Sequence, residues 1–149
     1  MERNGTLPRV SIVLAAFNQE RFVEQAVKAV FAQDYGNLEI VLSDDASSDS
    51  TYEIMEHLTE SYSGPHEVIL NRTAGGNGIL AHFYSAVAKS TGRLIVGAAG
   101  DDISYPHRVS CLVNLWQESQ ADAIFSSFDY IDEDGDICLL YTSPSPRDS

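Results

Sequence analysis

Residues 38–51 read LEIVLSDDASSDST, a short apolar run that ends in two adjacent aspartates and a polar stretch. The apolar run predicts a strand that is buried on both faces. Residues 10–16 (VSIVLAA) show the same pattern closer to the N-terminus. Strands covered on both faces are typical of parallel sheets with helices packed on either side. These two segments therefore indicate an α/β fold with a mostly parallel sheet.

Strand and helix patterns alternate along the rest of the chain. Apolar spacing predicts helices over 20–33, 51–62, 79–89 and 106–118, and further strands over 68–70, 94–97 and 123–130. Asn18 is the predicted N-cap of the first helix, and Asp134-Gly135 predicts a hairpin turn. The alternation is that of a three-layer α/β/α domain, in which ligands bind beyond the carboxyl ends of the strands.

The composition limits the class of protein. The chain has 149 residues, 44% of them hydrophobic, and a formal net charge of −13. This acidic balance argues against nucleic acid as a general partner, because phosphate backbones attract basic surfaces. No apolar stretch approaches the ~20 residues of a transmembrane segment, and the N-terminus lacks the apolar core of a signal peptide. Two cysteines are too few for a disulfide-stapled secreted domain and favour the cytoplasm.

Two adjacent carboxylates follow the second predicted strand. Asp44 and Asp45 carry like charges, which is unfavourable unless a cation or a hydrogen-bond donor meets them. A nucleobase N–H or a ribose hydroxyl is a suitable donor. Asp49 and Ser50 have a simpler explanation, because acidic and hydroxyl side chains cap the start of a helix.

A second carboxylate pair follows the fourth predicted strand. Gly100 and the small residues before it allow the close approach of a bulky ligand, and Asp101 and Asp102 follow at once. Paired carboxylates suit Mg²⁺ or Mn²⁺ bridging to substrate phosphates, and a solvated turn is the alternative. Residues 75–78 (GGNG) offer backbone N–H groups to a phosphate or form a connecting loop. The acids of 129–136 lack calcium-loop spacing and predict a solvated hairpin.

In their order and spacing, these segments resemble the N-terminal part of the family 2 inverting glycosyltransferases with a GT-A fold. Residues 10–35 resemble the strand, aromatic-Asn turn and helix that open that family. Residues 38–51 resemble its DD-x-S-x-D-x-T motif, and residues 100–109 (GDDISYPHRV) resemble its DxD-like motif followed by Pro and Arg. The resemblance spans about residues 8–137.

The resemblance implies a donor-nucleotide pocket beside a metal site. The residues implied to line the pocket are Ala15, Ala16, Phe17, Asn18, Glu20, Asp44, Asp45 and Asp101. Asp45 would accept a hydrogen bond from the nucleobase with support from Asp44, and Asp102 would bind Mn²⁺ or Mg²⁺. The metal would neutralise the leaving diphosphate, and a carboxylate base would deprotonate the acceptor hydroxyl.

The family's catalytic base lies beyond the DxD-like motif, so we expect it beyond the end of this chain. Residues 1–137 are therefore expected to form the donor-nucleotide-binding part of a truncated GT-A domain, inactive by itself. Residues 138–149 (CLLYTSPSPRDS) break the hairpin pattern and are expected to be a non-native or disordered tail. The implied reaction transfers a sugar, with inversion, from a nucleotide-diphosphate donor of the UDP type to an unidentified glycan, lipid-linked or protein acceptor.

Three other classes of protein are alternatives to a glycosyltransferase. A nucleotide-sugar-binding module without transfer activity is the main alternative. A nicotinamide-dependent enzyme would need GxGxxG after the first strand, where AAFNQE stands instead. A phosphoacceptor receiver domain would need acidic residues at that same place. Peripheral association of the full-length protein with a membrane stays open.

Overall fold

Four strands alternate with four helices in residues 6–138, the part of the chain that the computed structural model describes. The strands are β1 (Val10–Ala16), β2 (Leu38–Asp44), β3 (Glu67–Arg72) and β4 (Leu94–Ala99). The helices are α1 (Val23–Phe31), α2 (Thr51–Glu60), α3 (Ile79–Val87) and α4 (Arg108–Ser119). Apart from its first residue, the predicted tail 138–149 lies outside the described residues.

The four strands form a parallel sheet in the order β3-β2-β1-β4. Its register pairs Ala16 with Asp44, Asp44 with Arg72, and Ala15 with Ala99. The carboxyl ends of all four strands therefore meet at one edge. Because the strand order reverses between β1 and β4, this edge has a crevice of the kind that binds ligands in open α/β sheets.

Alternate side chains of the central strands pack against opposite layers of helices. Ile12 and Leu14 of β1 are fully buried in a cluster that includes residues of α1, α2 and α4. Val13 and Val41 point to the other face, where they pack with Ala86 of α3. The two layers explain why β1 and β2 read as continuous apolar runs, and they confirm the three-layer α/β/α arrangement.

The start of the first helix differs from the sequence-based prediction. Helix α1 begins at Val23 and not at residue 20, and no side chain caps it. The prediction of Asn18 as its N-cap is therefore wrong. Asn18 adopts a left-handed backbone conformation (φ 48°), and its side-chain oxygen accepts a hydrogen bond from Ser48 in the next loop. Among residues 6–138, no helix is long and apolar enough to cross a membrane.

The prediction of a fifth strand over 123–130 is also wrong. The segment has no regular secondary structure, and Phe125 and Phe128 are 94% and 73% exposed. A strand forms where a neighbour pairs with its backbone, and none of the described strands does so here. The hairpin turn is present, because residues 131 and 137 form an antiparallel bridge around Asp134-Gly135.

A buried carboxylate ties the amino ends of three strands together. The Glu39 side chain of β2 is fully buried and accepts hydrogen bonds from Ser11 Oγ (2.5 Å), Thr91 N (2.8 Å) and Thr91 Oγ1 (3.0 Å). Arg9 lies 3.4 Å away. Burial acts to raise the pKa of Glu39, but the hydrogen bonds from Ser11 and Thr91 and the Arg9 charge together lower it.

We expect Glu39→Ala to lower the free energy of unfolding by about 3 kcal/mol at pH 7, because it leaves the buried hydroxyl of Ser11 and the part-buried donors of Thr91 without this acceptor. Denaturant titration measures this change. A carboxyl whose folded pKa is lowered stabilises the protein above its unfolded pKa of about 4.3 and loses that effect as the pH falls through the folded pKa. The difference between wild type and variant should therefore shrink below about pH 4.

Glu67→Ala is the matched control, because Glu67 contacts Arg9 (2.7 Å) but its side chain is 62% exposed. It should change stability by less than about 1 kcal/mol. Equal losses for the two variants at pH 7 would contradict a special role for the buried carboxylate.

Candidate functional site

The predicted site residues come together at the carboxyl edge of the sheet. Asp45 N donates to Ala16 O at 3.0 Å, which extends the pairing of β1 with β2 by one step. Gly100 N donates to Ala15 O at 3.1 Å on the other side of β1. The loop after β1 therefore lies between the two carboxylate pairs, as the parallel topology requires.

Asp44 is fully buried and is occupied by contacts inside the protein. Its carboxylate accepts hydrogen bonds from Ser47 N (3.0 Å) and Ser47 Oγ (2.5 Å). Arg72 at the end of β3 supplies the cation, with Nε 3.2 Å from Asp44 Oδ2. The Arg72 guanidinium also donates to Ser47 O (3.0 Å) and lies over the ring of Tyr52. Asp44 therefore shapes the loop and leaves no free oxygen for a ligand.

Asp45 is half-buried and is oriented from two sides. Its backbone is bonded to Ala16, and its Oδ1 accepts a hydrogen bond from Thr73 Oγ1 at 2.6 Å. Within residues 6–138, no hydrogen bond to Asp45 Oδ2 is present. Ala46 follows with a left-handed backbone (φ 56°), which turns the chain away from the sheet edge. Asp45 is thus the carboxylate of this pair with an oxygen available to a ligand.

Hydrogen bonds join the loop after β1 to the loop after β2. Asn18 N donates to Ser47 Oγ (2.9 Å), and Asn18 Oδ1 accepts from Ser48 N (2.8 Å). Gln19 N donates to Thr51 Oγ1 at 2.8 Å. The side-chain oxygen and the backbone N–H of Asn18 therefore serve the structure of the site.

The side chain of Glu20 lies at the start of α2 and is hydrogen-bonded to the backbone there. Its Oε2 accepts a hydrogen bond from Ser50 N at 2.9 Å, and its own N–H donates to Asp49 Oδ2 at 3.2 Å. Asp49 also accepts a hydrogen bond from Thr51 N, so this acid meets a donor at the start of α2 as predicted, whereas the hydroxyl of Ser50 makes no capping hydrogen bond. Glu20 lines a groove of about 220 Å³ together with Asn18 and Asp49.

Phe17 presents an aromatic face beside these loops. Its side chain is 55% exposed, although large apolar side chains are usually buried. Its N–H donates to Gln19 Oε1 at 3.2 Å, which fixes the backbone from which the ring projects. Phe17 follows Ala16, whose carbonyl oxygen is bonded to Asp45 N, so an exposed ring and a half-buried carboxylate project from neighbouring loops. A base stacks by its face and hydrogen-bonds by its edge, and these two side chains match those needs.

Gly100 brings the second carboxylate pair close to β1. A Cβ at this position would lie 2.8 Å from Ala16 Cβ and 2.5 Å from Gln19 Oε1. Asp101 and Asp102 follow and are both exposed. Crowding by protein atoms around the carboxyl raises the pKa of Asp102, the charge of Asp101 raises it further, and Arg108 acts against both.

The donor set fits a divalent cation that completes its coordination with substrate. No group of three His, Cys, Asp or Glu residues poised to hold a metal occurs in residues 6–138. Mg²⁺ and Mn²⁺ do not require such a group, since they often bind one or two carboxylates together with phosphate oxygens and water. Two unpaired carboxylates in sequence, Asp101 and Asp102, meet that requirement.

The sequence-based reasoning missed the residues contributed by β3 and α3. Arg72 is the last residue of β3 and Thr73 follows it; at the same sheet edge, they contact Asp44 and Asp45 respectively. One level below, Ser43 Oγ lies 2.8 Å from Nε2 of the buried His82. The strand-end rule was a usable signal for Arg72 and Thr73, because both stand where the third predicted strand ends.

A parallel α/β sheet with carboxylates at the strand ends, beside the point where the strand order reverses, has the architecture of a ligand-binding α/β domain. Residues 11–146 match the family described as Glycosyl transferase family 2. The chain therefore belongs to glycosyl transferase family 2, and its fold is the GT-A fold of that family.

Two relatives illustrate the range of the similarity. The chain is 32% identical over 102 residues to the protein EpsE of Bacillus subtilis (strain 168), covering 68% of this chain and 36% of EpsE. It is 26% identical over 135 residues to the UDP-Glc:alpha-D-GlcNAc-diphosphoundecaprenol beta-1,3-glucosyltransferase WfaP of Escherichia coli, covering 91% of this chain and 51% of WfaP. The chain thus spans between a third and about half of these proteins.

Solved structures share the fold over a similar part of their length. TarS (1–349) of S. aureus in complex with UDP superposes with a TM-score of 0.66 at 18% identity, covering 76% of this chain and 33% of that one. The mannosyltransferase PcManGT of Pyrobaculum calidifontis, in complex with GDP-Man and Mn²⁺, gives 0.65 at 25% identity, covering 74% and 32%.

We expect Gly100→Ala to lower the free energy of unfolding by about 1–3 kcal/mol, because the added methyl group overlaps a fixed atom of β1. The amide of Gln19 can rotate away, but the Cβ of Ala16 cannot. Urea denaturation measures the loss. Gly36→Ala is the control, since its nearest neighbour would be Leu7 Cδ1 at an ordinary 3.5 Å. An unchanged stability for Gly100→Ala would show that β1 and the 100–102 turn are not closely packed.

Proposed function

We propose that this chain carries the donor-binding part of a glycosyltransferase that uses a nucleotide-diphosphate sugar of the UDP type and inverts the anomeric carbon. The observation that carries the proposal is the pairing of a ligand-accessible carboxylate, Asp45, with the Asp101-Asp102 pair across the end of β1. One carboxylate suits the edge of a base and the other pair suits a metal-bound diphosphate. The expected tail at 138–149 and the cytoplasmic location stay predictions.

The nucleoside would bind between the loops after β1 and β2. Asp45 Oδ2 is the acceptor for a base N–H, and the exposed face of Phe17 is the stacking surface. The ribose and phosphates of the nucleotide would lie along the backbone of Ala15 and Ala16 and extend toward Gly100. Asp44 does not touch the nucleotide in this proposal, because its oxygens are occupied by Ser47 and Arg72.

The diphosphate would lie against the 100–102 turn. Asp102 would hold the divalent metal and Asp101 would approach the ribose or the metal, since both are exposed and without a bonded cation in the described residues. When bound, Mn²⁺ or Mg²⁺ acts as a Lewis acid that stabilises the leaving diphosphate. Burial of its carboxyl and then the charge of Asp101 raise the pKa of Asp102, and a cation bound beside both carboxylates would oppose both effects.

The acceptor half of the reaction would depend on residues outside the described part of the chain. Inversion by a single displacement requires a carboxylate that removes the proton of the acceptor hydroxyl. Asp129 is hydrogen-bonded to Tyr105 (2.7 Å) and precedes the position expected for that base. The partial coverage of the relatives supports a base elsewhere in a longer protein. A binding module without transfer activity is the second candidate, favoured by the same observation.

Calorimetric titration of UDP into the chain, with and without Mn²⁺, tests the proposal. We expect Asp102→Ala to abolish the Mn²⁺-dependent part of UDP binding, because the metal loses its protein ligand. Asp122→Ala is the control, since Asp122 is also exposed and acidic but follows α4. Equal affinity of wild type and Asp102→Ala in the presence of Mn²⁺ would remove Asp102 from the metal site.

Phe17→Ala should weaken UDP binding about tenfold, because stacking of a base on an aromatic ring contributes about 1–3 kcal/mol. Phe17→Tyr keeps the ring and should bind like wild type. The same titration measures both variants, and the dependence on Mn²⁺ should persist in each. Phe125→Ala removes a ring that is still more exposed, 94% against 55% for Phe17, and that follows α4; it should have no effect. A similar loss for Phe125→Ala would indicate a nonspecific effect.

A further inference from the structure

The glycine-rich loop after β3 packs directly on the residue that we place at the nucleobase. Gly75 has a left-handed backbone (φ 78°), and a Cβ there would lie 2.9 Å from Ala46 Cβ and 3.4 Å from Asp45 O. Only glycine fits this position without displacing the turn after Asp45. Residues 73–75 therefore form one wall beside Asp45, in addition to their role as a connection to α3.

Thr73 makes the polar contact between this wall and Asp45. Its N–H donates to Asp44 O at 2.9 Å, which continues the pairing of β2 with β3 beyond the strands. Its hydroxyl donates to Asp45 Oδ1 at 2.6 Å. Because the backbone of Thr73 is held by the sheet, its hydroxyl has little freedom to follow the carboxylate. The carboxylate is instead oriented by the hydroxyl.

The two oxygens of Asp45 are therefore not equivalent. Oδ1 is engaged by Thr73, while the described residues leave Oδ2 without a hydrogen bond. The backbone of Asp45 is fixed on its other side by Ala16 O at 3.0 Å. A ligand that reaches this carboxylate meets one available oxygen in a set position and not a symmetric pair.

We propose that Thr73 is a positioning residue that sets the preference of this site for a uracil base over a guanine base. This inference rests on the proposed function of Asp45 at the donor nucleobase. Uracil presents one ring N–H between two carbonyl oxygens, so it matches a single accepting oxygen. Guanine presents a ring N–H and an adjacent amino group, which match both oxygens of a free carboxylate.

The hydroxyl of Thr73 also moderates a repulsion that uracil would meet. When the ring N–H of uracil bonds to Oδ2, one flanking carbonyl oxygen comes near the other carboxylate oxygen. A donor already bound to Oδ1 reduces the negative charge exposed at that point. For guanine the same donor competes with the amino group, which would then lack part of its hydrogen bonding. Thr73 thus favours one base and disfavours the other.

Titration calorimetry of the chain with UDP and with GDP, each in the presence of Mn²⁺, measures the preference as a ratio of dissociation constants. We expect wild type to prefer UDP, and Thr73→Val to reduce the preference about tenfold by freeing Oδ1. Thr73→Ser keeps the hydroxyl and should restore the wild-type ratio. Thr59→Val removes a threonine hydroxyl that donates to Met55 O on α2, and it should leave the ratio unchanged.

A merely structural role for Thr73 would weaken UDP and GDP binding equally, so an unchanged ratio in Thr73→Val overturns the inference and leaves the proposed function intact. A wild-type preference for GDP overturns both this inference and the UDP-type donor of the proposed function, but it leaves nucleotide binding at this edge of the sheet intact. Binding of neither nucleotide to wild type overturns both proposals. Circular dichroism shows whether Thr73→Val is folded, and Thr73→Ala takes its place if it is not, with the same outcomes expected.

Discussion

The structure of the carboxyl edge of the sheet depends on the buried carboxylate of Asp44. A charge with no exposure to water must be matched by donors, and here Ser47 and Arg72 supply them. Meeting this requirement folds the loop after β2 back on itself and draws the end of β3 toward it. Asp45 is then presented at the sheet edge with its carboxylate outside the buried cluster. The buried carboxylate of Asp44 thereby decides where the carboxylate of its neighbour lies.

Much of the fold followed from local patterns in the sequence. The apolar runs of β1 and β2 predict strands that are covered on both faces. Their alternation with amphipathic segments predicts a parallel sheet between two layers of helices. The predictions failed where a distant partner decides the structure. Asn18 looks like a helix cap but bonds to Ser48 instead, because the two loops are adjacent in space. Residues 123–130 look like a strand, but none of the described strands pairs with them.

The sequence predicted the positions of the site residues better than it predicted their contacts. The paired acids at the ends of β2 and β4 were recognisable in the sequence, because packing of an apolar core does not explain adjacent carboxylates. The different contacts of Asp44 and Asp45 could not be predicted, because they depend on which carboxylate the parallel register places beside Arg72 and which beside Thr73. Nothing in the two letters DD distinguishes the fully buried Asp44 from the half-buried Asp45. That distinction arises from tertiary hydrogen bonds across about thirty residues of chain.

The left-handed backbone of Ala46 has a thermodynamic consequence for ligand capture. A residue with a Cβ is disfavoured in this conformation by about 1–2 kcal/mol, and here the disfavoured turn is imposed by the contacts on either side of it. The loop is thus preorganised: its unfavourable shape is established when the chain folds and not when a nucleotide arrives. Binding energy is then available for affinity, because it need not be used to order the loop.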